Sequence, residues 1–142
     1  MENKIRVEPS SVLFKEGDLA LNLYIVKSGE VACLKSYNDR LIPVFVAREG
    51  DIIGENAILN NTPNAYSAIS LKPSELISIP AENFLTIMKE APEWLSDLST
   101  TMVKRFEATA SLVAENRVIH SSILSEEDFT SAMEVEFKKL LN

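Results

Sequence analysis

The sequence predicts a mainly β domain, built as a sandwich or barrel, that is followed by a shorter helical part. Short runs rich in β-branched or aromatic residues recur before Pro80, and turn-forming residues separate many of them. Such short strands at regular spacing are typical of all-β sandwiches and barrels. All four glycines also lie in the first half of the chain. After Pro80, apolar residues recur at the spacing of a helix, which predicts the helical part.

Six strands are predicted before Pro80. One of them contains Pro43, which has no backbone N–H for a sheet hydrogen bond and therefore indicates an edge strand or a bulge. The six predicted strands are Ser11–Phe14, Leu23–Val26, Glu30–Leu34, Ile42–Val46, Ala65–Leu71 and Leu76–Ile79.

Three helices are predicted after these strands. The first is Ala81–Lys89, and the second runs from Pro92 to about Val118, a rod of roughly 40 Å at ~1.5 Å per residue. Ser125 and the three acids after it indicate the start of a last, short amphipathic helix. Whether that helix packs back on the β domain or binds a partner stays open. Its apolar residues at helical spacing are Phe129, Met133, Phe137, Leu140 and Leu141.

The composition restricts the partners and the cell compartment. The 142 residues suit a single domain and carry a formal net charge of -7. This acidic balance argues against nucleic acid or an anionic membrane surface as partner, because binding to either relies on Lys and Arg. The single cysteine, Cys33, excludes an intrachain disulfide, and no apolar run has membrane-spanning length. A cytoplasmic protein is therefore expected.

Residues for catalysis or metal binding are sparse. His120 is the single histidine and follows the predicted long helix, whereas Cys33 lies in a predicted strand, so the sequence does not pair them. The acids Glu126–Asp128 are explained more simply as a helix start than as a metal cluster. The sequence therefore predicts neither an enzyme nor a metal site.

The stretch Gly50–Ala65, with the sequence GDIIGENAILNNTPNA, is the candidate binding site. Gly54 and Glu55 lie on a predicted helical turn after a strand, and the backbone N–H groups of such a turn attract anions. The Glu55 carboxylate can accept a hydrogen bond from a sugar hydroxyl. The alternative is a plain turn with a surface glutamate, since Gly-Glu pairs are common.

Several spaced motifs follow one another in order along the chain. They are Phe14-x-x-Gly17-Asp18, Tyr24-Ile25-Val26-x-x-Gly29-x-Val31, Gly50-Asp51-x-x-Gly54-Glu55-x-Ala57, Pro63-x-Ala65 and the later positions Phe84, Pro92, Leu95 and Leu98. In this order they resemble the cyclic-nucleotide-binding domain family over about residues 12–118. The resemblance implies an eight-stranded, jelly-roll-like β-roll capped by helices, with the ligand held between the roll and the long helix.

The resemblance also implies roles for individual residues. Glu55 matches the acid that holds the ribose 2′-hydroxyl, and Gly54 and Ala57 match positions of close backbone approach to the phosphate. Ala65 ends this phosphate-binding cassette. Thr109 is similar to a threonine that contacts the adenine in bacterial cyclic-AMP receptor proteins.

Two positions of the cassette depart from the family pattern. Asn56 replaces an aliphatic residue, and Asn64 stands where the family has an arginine that binds the cyclic phosphate. A carboxamide forms neutral hydrogen bonds, whereas a guanidinium adds charge and a two-pronged fit. The loss of such a partner costs roughly 2–5 kcal/mol, or about 30-fold to several-thousand-fold in affinity. Arg48 and Lys72 are alternative cations that the sequence cannot place.

Two functions are compatible with these residues. The first is a non-catalytic regulatory module, residues 1–118 with the long helix, that binds a cyclic nucleotide weakly or with altered preference. The alternative is a degenerate, ligand-free domain that serves protein–protein interaction or dimerisation. Residues 119–142 are expected to form a hinge and the last helix. They are too few for a helix-turn-helix module, so none is expected there.

A parallel homodimer through the long helix is expected, because an apolar stripe at roughly seven-residue spacing seeks a partner and a two-fold axis is the commonest solution. The stripe begins with Leu95, Leu98, Met102 and Phe106. Met102→Glu would bury a charge in the seam and should give a folded monomer. Light scattering checks this, and a monomer mass for the unaltered protein at tens of micromolar would contradict the dimer.

Overall fold

The computed structural model describes residues 3–90, 93, 94, 97 and 129–142. Eight strands and three helices have both of their ends within these residues, so the mainly β class is confirmed. The strands are β1 Asn3–Val7, β2 Val12–Phe14, β3 Asn22–Ser28, β4 Val31–Tyr37, β5 Arg40–Ala47, β6 Ile52–Ile53, β7 Ser67–Ser70 and β8 Ser74–Pro80. The helices are α1 Glu55–Asn60, α2 Ala81–Glu90 and α3 Ser131–Leu141.

The strands form two antiparallel sheets of four. One sheet has the order β1-β8-β3-β6 and the other the order β2-β7-β4-β5. All six predicted strands are present. Pro43 lies in edge strand β5, beside a register shift where Cys33 pairs with Phe45 and Leu34 with Pro43. Both features that the proline predicted, an edge strand and a bulge, therefore occur.

Strands β1 and β6 were not predicted. Strand β1 alternates apolar residues with Lys4 and Arg6, and both cations pair with Glu75 of β8, at 2.9 and 3.3 Å. Charged side chains are common on edge strands, where they discourage pairing with other chains. Strand β6 pairs with β3. It has only two residues, and so short a run shows no pattern in the sequence.

The main core lies between the two sheets. It draws on both of them, and Tyr66, which precedes β7, is its largest member. Strand β4 alternates between two clusters: Val31 and Cys33 belong to this core, whereas Ala32 and Leu34 belong to a second cluster on the opposite face. The buried members of the core are Val26, Val31, Cys33, Ile42, Val44, Ala47, Ile53, Tyr66, Ala68 and Leu76.

Helix α3 covers the outer face of the sheet that contains β4. Phe129 and Phe137 are buried there with Ala32 and Leu34, and their rings lie 5.9 Å apart. Glu134 fixes the helix with two hydrogen bonds of 2.9 Å from the Arg40 guanidinium and a third of 2.9 Å from the Leu41 backbone N–H. The last helix therefore packs back on the β domain, which decides the alternative that the sequence left open.

The start of this helix differs from the expectation. Thr130 has extended backbone angles, and its side chain accepts a hydrogen bond from the Met133 N–H, so Thr130 is the N-cap. Phe129 therefore precedes helix α3, although its ring is buried against it. The expected N-cap Ser125 and the acids Glu126–Asp128 lie outside the described residues.

Helix α2 agrees with the predicted Ala81–Lys89 to within one residue. Of the predicted long helix, Glu93, Trp94 and Asp97 are helical. The remainder, the expected dimer stripe, His120 and the boundary after residue 118 lie outside the described residues. Among the described helices, none combines the length and the apolar character that a membrane crossing requires.

The attachment of α3 gives a testable expectation. Phe137 is 2% exposed, so Phe137→Ala should leave a cavity and lower the free energy of unfolding by about 3–5 kcal/mol. Val135 on the same helix is 55% exposed, so Val135→Ala should change it by less than about 0.5 kcal/mol. Urea unfolding measures both, and equal effects of the two changes would contradict the packing of α3.

Candidate functional site

The Gly54-Glu55 pair of the candidate cassette lies directly after strand β6. Gly54 follows the buried Ile53 and is the N-cap of α1, with φ of 85°. A Cβ at Gly54 would meet the Asn22 carbonyl oxygen at 3.2 Å as well as requiring a strained left-handed backbone. Helix α1 ends at Asn61, which is also left-handed. The predicted helical turn after a strand is thus confirmed.

The Gly54 N–H already has an acceptor. It donates to the Tyr66 hydroxyl at 3.0 Å. Tyr66 is 2% exposed, and its ring lies 5.5 Å from that of Phe14 and 5.8 Å from that of Phe45. This role of Tyr66 was not predicted. The signal was a tyrosine within the predicted strand Ala65–Leu71, because a buried phenol needs a hydrogen-bond partner.

Glu55 is the acid of the site. Its Oε2 is buried and has no hydrogen-bond partner among the described residues. Burial raises the pKa of Glu55 from 4.5 to about 7, and a hydrogen bond from its own backbone N–H opposes this rise. A largely buried carboxyl group with a free oxygen is suited to bind a hydroxyl group.

The two residues after Glu55 are buried within the domain. Asn56 and Ala57 are each 1% exposed, so the position of the expected aliphatic residue is occupied by a buried polar one. The Ala57 carbonyl accepts from Thr62 N–H at 3.0 Å, which closes the C-terminal end of the short helix.

Asn64 is held by the turn that follows β2. Its side-chain amide donates to the Lys15 carbonyl at 3.2 Å, its backbone N–H donates to Asp18, and its carbonyl accepts from Gly17. The side chain is therefore used to fix this turn. Phe14 and Lys15, which are adjacent in sequence, contact the two ends of the cassette: a Cβ on Gly54 would lie 3.5 Å from the Phe14 ring.

A lysine missed by the sequence analysis lies at the end of the cassette. Lys35 of β4 donates to the Ala65 carbonyl at 2.9 Å and pairs with Glu16 at 3.5 Å. The two cations considered from the sequence bind elsewhere: Arg48 and Lys72 both pair with Glu30, at 3.2 and 3.4 Å. The contact between Lys35 and Ala65 joins residues thirty positions apart, and no local pattern announces it.

The structure thus brings most of the expected site residues together on one short segment. Gly54, Glu55, Asn56 and Ala57 lie at the start of α1, and Asn64 and Ala65 lie where the chain returns towards β7. Thr109, the expected adenine contact, lies outside the described residues.

The raised pKa of Glu55 predicts a pH-dependent stability. The folded state favours the protonated carboxyl, so the unaltered protein loses stability as the pH rises from 4.5 towards 7. Glu55→Gln removes this titration and should be stabilising, by about 2 kcal/mol more at pH 8 than at pH 5.5. Thermal unfolding at both pH values measures the difference. The exposed Glu82 offers a control, and a Glu82→Gln variant with the same pH response would contradict this assignment.

Comparison with known proteins identifies relatives of this domain. A family model described as the cyclic nucleotide-binding domain matches residues 4–91. The cAMP-dependent protein kinase regulatory subunit of Pyricularia oryzae is 39% identical over 62 residues, which are 44% of this chain and 15% of that protein. The cyclic AMP receptor protein of Thermus thermophilus is 26% identical over 96 residues, which are 66% of this chain and 44% of that protein.

A solved structure agrees with these relatives. The regulatory domain of Toxoplasma gondii PKA, crystallised with cAMP, has a TM-score of 0.60 and 35% sequence identity, and the match covers 61% of this chain and 33% of that one. The chain spans less than half the length of each of these three proteins. Because the family model covers residues 4–91, more than half of the sequence, the chain belongs to the cyclic nucleotide-binding domain family.

Proposed function

We propose that the chain is a non-catalytic regulatory module that binds a cyclic nucleotide, weakly or with altered preference. The observation that carries this proposal is the buried Glu55 carboxyl, whose Oε2 is free among the described residues. It lies at the family position for the ribose 2′-hydroxyl. The similarity to a cyclic AMP receptor protein and to a PKA regulatory domain crystallised with cAMP supports the same ligand class.

The proposed weakness rests on Asn64. This residue carries no charge, and its amide is bonded to the Lys15 carbonyl. A cyclic phosphate would therefore lack the two-pronged guanidinium contact that the family pattern provides. The proposed binding set is Gly54, Glu55, Asn56, Ala57, Asn64, Ala65 and Thr109.

A ligand-free interaction module is the second candidate. Two observations favour it: the Gly54 N–H is satisfied by the Tyr66 hydroxyl, and the Asn64 side chain by a backbone carbonyl, so these groups do not require a ligand. The homodimer and a protein partner belong to this candidate. Trp94, 67% exposed in the helical part after α2, is an apolar side chain that such an interface would use.

We further propose that the domain has the β-roll topology of the family, that it extends to about residue 118 with the long helix, and that the protein acts in the cytoplasm. We propose no nucleic-acid partner, because the net charge of -7 disfavours contacts with phosphate backbones.

Titration with cyclic AMP, followed by NMR chemical shifts, tests the proposed function. The dissociation constant should be in the high micromolar range or weaker, because Asn64 supplies no charge. Cyclic GMP and a cyclic dinucleotide, titrated in parallel, determine the preference. A nanomolar or low-micromolar constant for cyclic AMP would contradict the proposed weakness.

Asn64→Arg should tighten cyclic-AMP binding by at least about 30-fold, because it restores the charged partner of the phosphate. The variant loses the side-chain hydrogen bond to Lys15 but keeps the two backbone hydrogen bonds of residue 64 with the turn after β2, and thermal unfolding measures the effect of this loss on the fold. Saturation by the variant but not by the unaltered protein would favour the ligand-free module for the natural sequence.

A further inference from the structure

Lys35 points its side chain towards the interior of the two-sheet domain. Strand residues two apart share a face, so Lys35 is on the same face of β4 as Cys33, a member of the core between the sheets. Burial raises the pKa of the Cys33 thiol, and the charge of Glu55 raises it further. The inner face of β4 therefore lines the core at Cys33 and reaches the end of the cassette at Lys35.

The Lys35 ammonium group lies at the end of the cassette in space, although Lys35 is thirty positions from Ala65 in the sequence. Its Nζ is 2.9 Å from the carbonyl oxygen of Ala65, the residue that follows Asn64. The Lys35 side chain is 24% exposed, so it is partly shielded but not fully buried. Lys35 therefore places a positive charge beside Ala65, which is one residue after the position where the family has its arginine.

The present partners of Lys35 leave it able to bind an anion. An ammonium group has three donors, and two acceptors are found among the described residues: the Ala65 carbonyl and the Glu16 carboxylate at 3.5 Å. Glu16 is itself held by the Ser36 backbone N–H at 2.9 Å. The pair of Lys35 with Glu16 is long and about one quarter exposed, so an incoming anion competes with a weak contact.

Several other cations of the described residues are paired with carboxylates. Arg40 forms two hydrogen bonds with Glu134, and Arg48 and Lys72 share Glu30. Lys15 offers its backbone carbonyl to Asn64, so its side chain is tested as a competitor of Lys35.

We propose that Lys35 of strand β4 is the cationic ligand-binding residue of this domain and takes the cyclic phosphate in place of the arginine expected at position 64. The inference rests on the proposed function and names the residue that makes an anionic ligand possible. The phosphate binds the free donor of the ammonium and replaces Glu16 as its counter-charge. Lysine acts as a single point charge without the planar fork of arginine, so the site binds a cyclic nucleotide but binds it weakly.

Two ligands distinguish the effect of Lys35 on the phosphate charge from its effect on the base and ribose. Cyclic AMP is an anion, and adenosine has the same base and ribose without the phosphate. In NMR titrations, Lys35→Met should weaken cyclic-AMP binding by about tenfold and change adenosine binding by less than about twofold. Lys35→Arg should retain most of the cyclic-AMP affinity, because it keeps the charge.

Glu16→Gln supplies a change in the opposite direction. The amide oxygen of glutamine can still accept the Ser36 N–H, while the competing negative charge is removed. Cyclic-AMP binding should become about threefold tighter, with no change for adenosine. Lys27→Met, at an exposed position of β3, is the matched control and should leave both affinities unchanged.

Each result decides for or against the proposal. Equal weakening of both ligands by Lys35→Met, or no weakening of cyclic AMP, overturns it and leaves the proposed function in place. A larger loss for Lys15→Met than for Lys35→Met also overturns it, in favour of Lys15. No binding of cyclic AMP to the unaltered, folded protein at a concentration of about 10 mM, which corresponds to a binding free energy weaker than about 3 kcal/mol, overturns it together with the proposed function.

Discussion

Strand β4 is buried on both of its faces, and the placement of the other elements follows from this. Val31 and Cys33 enter the core between the sheets, while Ala32 and Leu34 face the opposite side. Strands β7 and β5 flank β4 and satisfy its backbone groups. An apolar outer face cannot remain in water without cost, so helix α3 is needed as its cover. The polar residues of β4 come after these four, at the end of the strand near the cassette.

The cassette is attached to the same core at several points. Tyr66 connects the Gly54 N–H to the aromatic side chains of Phe14 and Phe45, and Asn64 binds the turn after β2. Two ionisable side chains lie along the cassette, Glu55 at the start of α1 and Lys35 beside Ala65. Both proposals draw on this pair, since a carboxyl suits a hydroxyl and an ammonium suits an anion.

The sequence predicted the elements whose signal is local. Six strands, helix α2 and the turn at Gly54 followed from glycine, proline and apolar spacing. Strand β1 escaped because its charged residues resemble a loop until Glu75 is placed beside them. The predicted start of α3 was wrong. The prediction followed Ser125 and the acids after it, whereas the hydroxyl of Thr130 caps the helix. Tyr66 and Lys35 were missed because their contacts depend on which strand faces the cassette, which spacing alone does not determine.

The docking of α3 makes the outer face of its sheet a site with a tethered occupant. Phe129 and Phe137 bury this face, and they belong to the same chain as the sheet that they cover. A helix that detaches therefore stays covalently connected to its own site, and its return is an intramolecular step that needs no second molecule. A protein that binds the same face in trans has to displace a helix that is always present at a ratio of one to one.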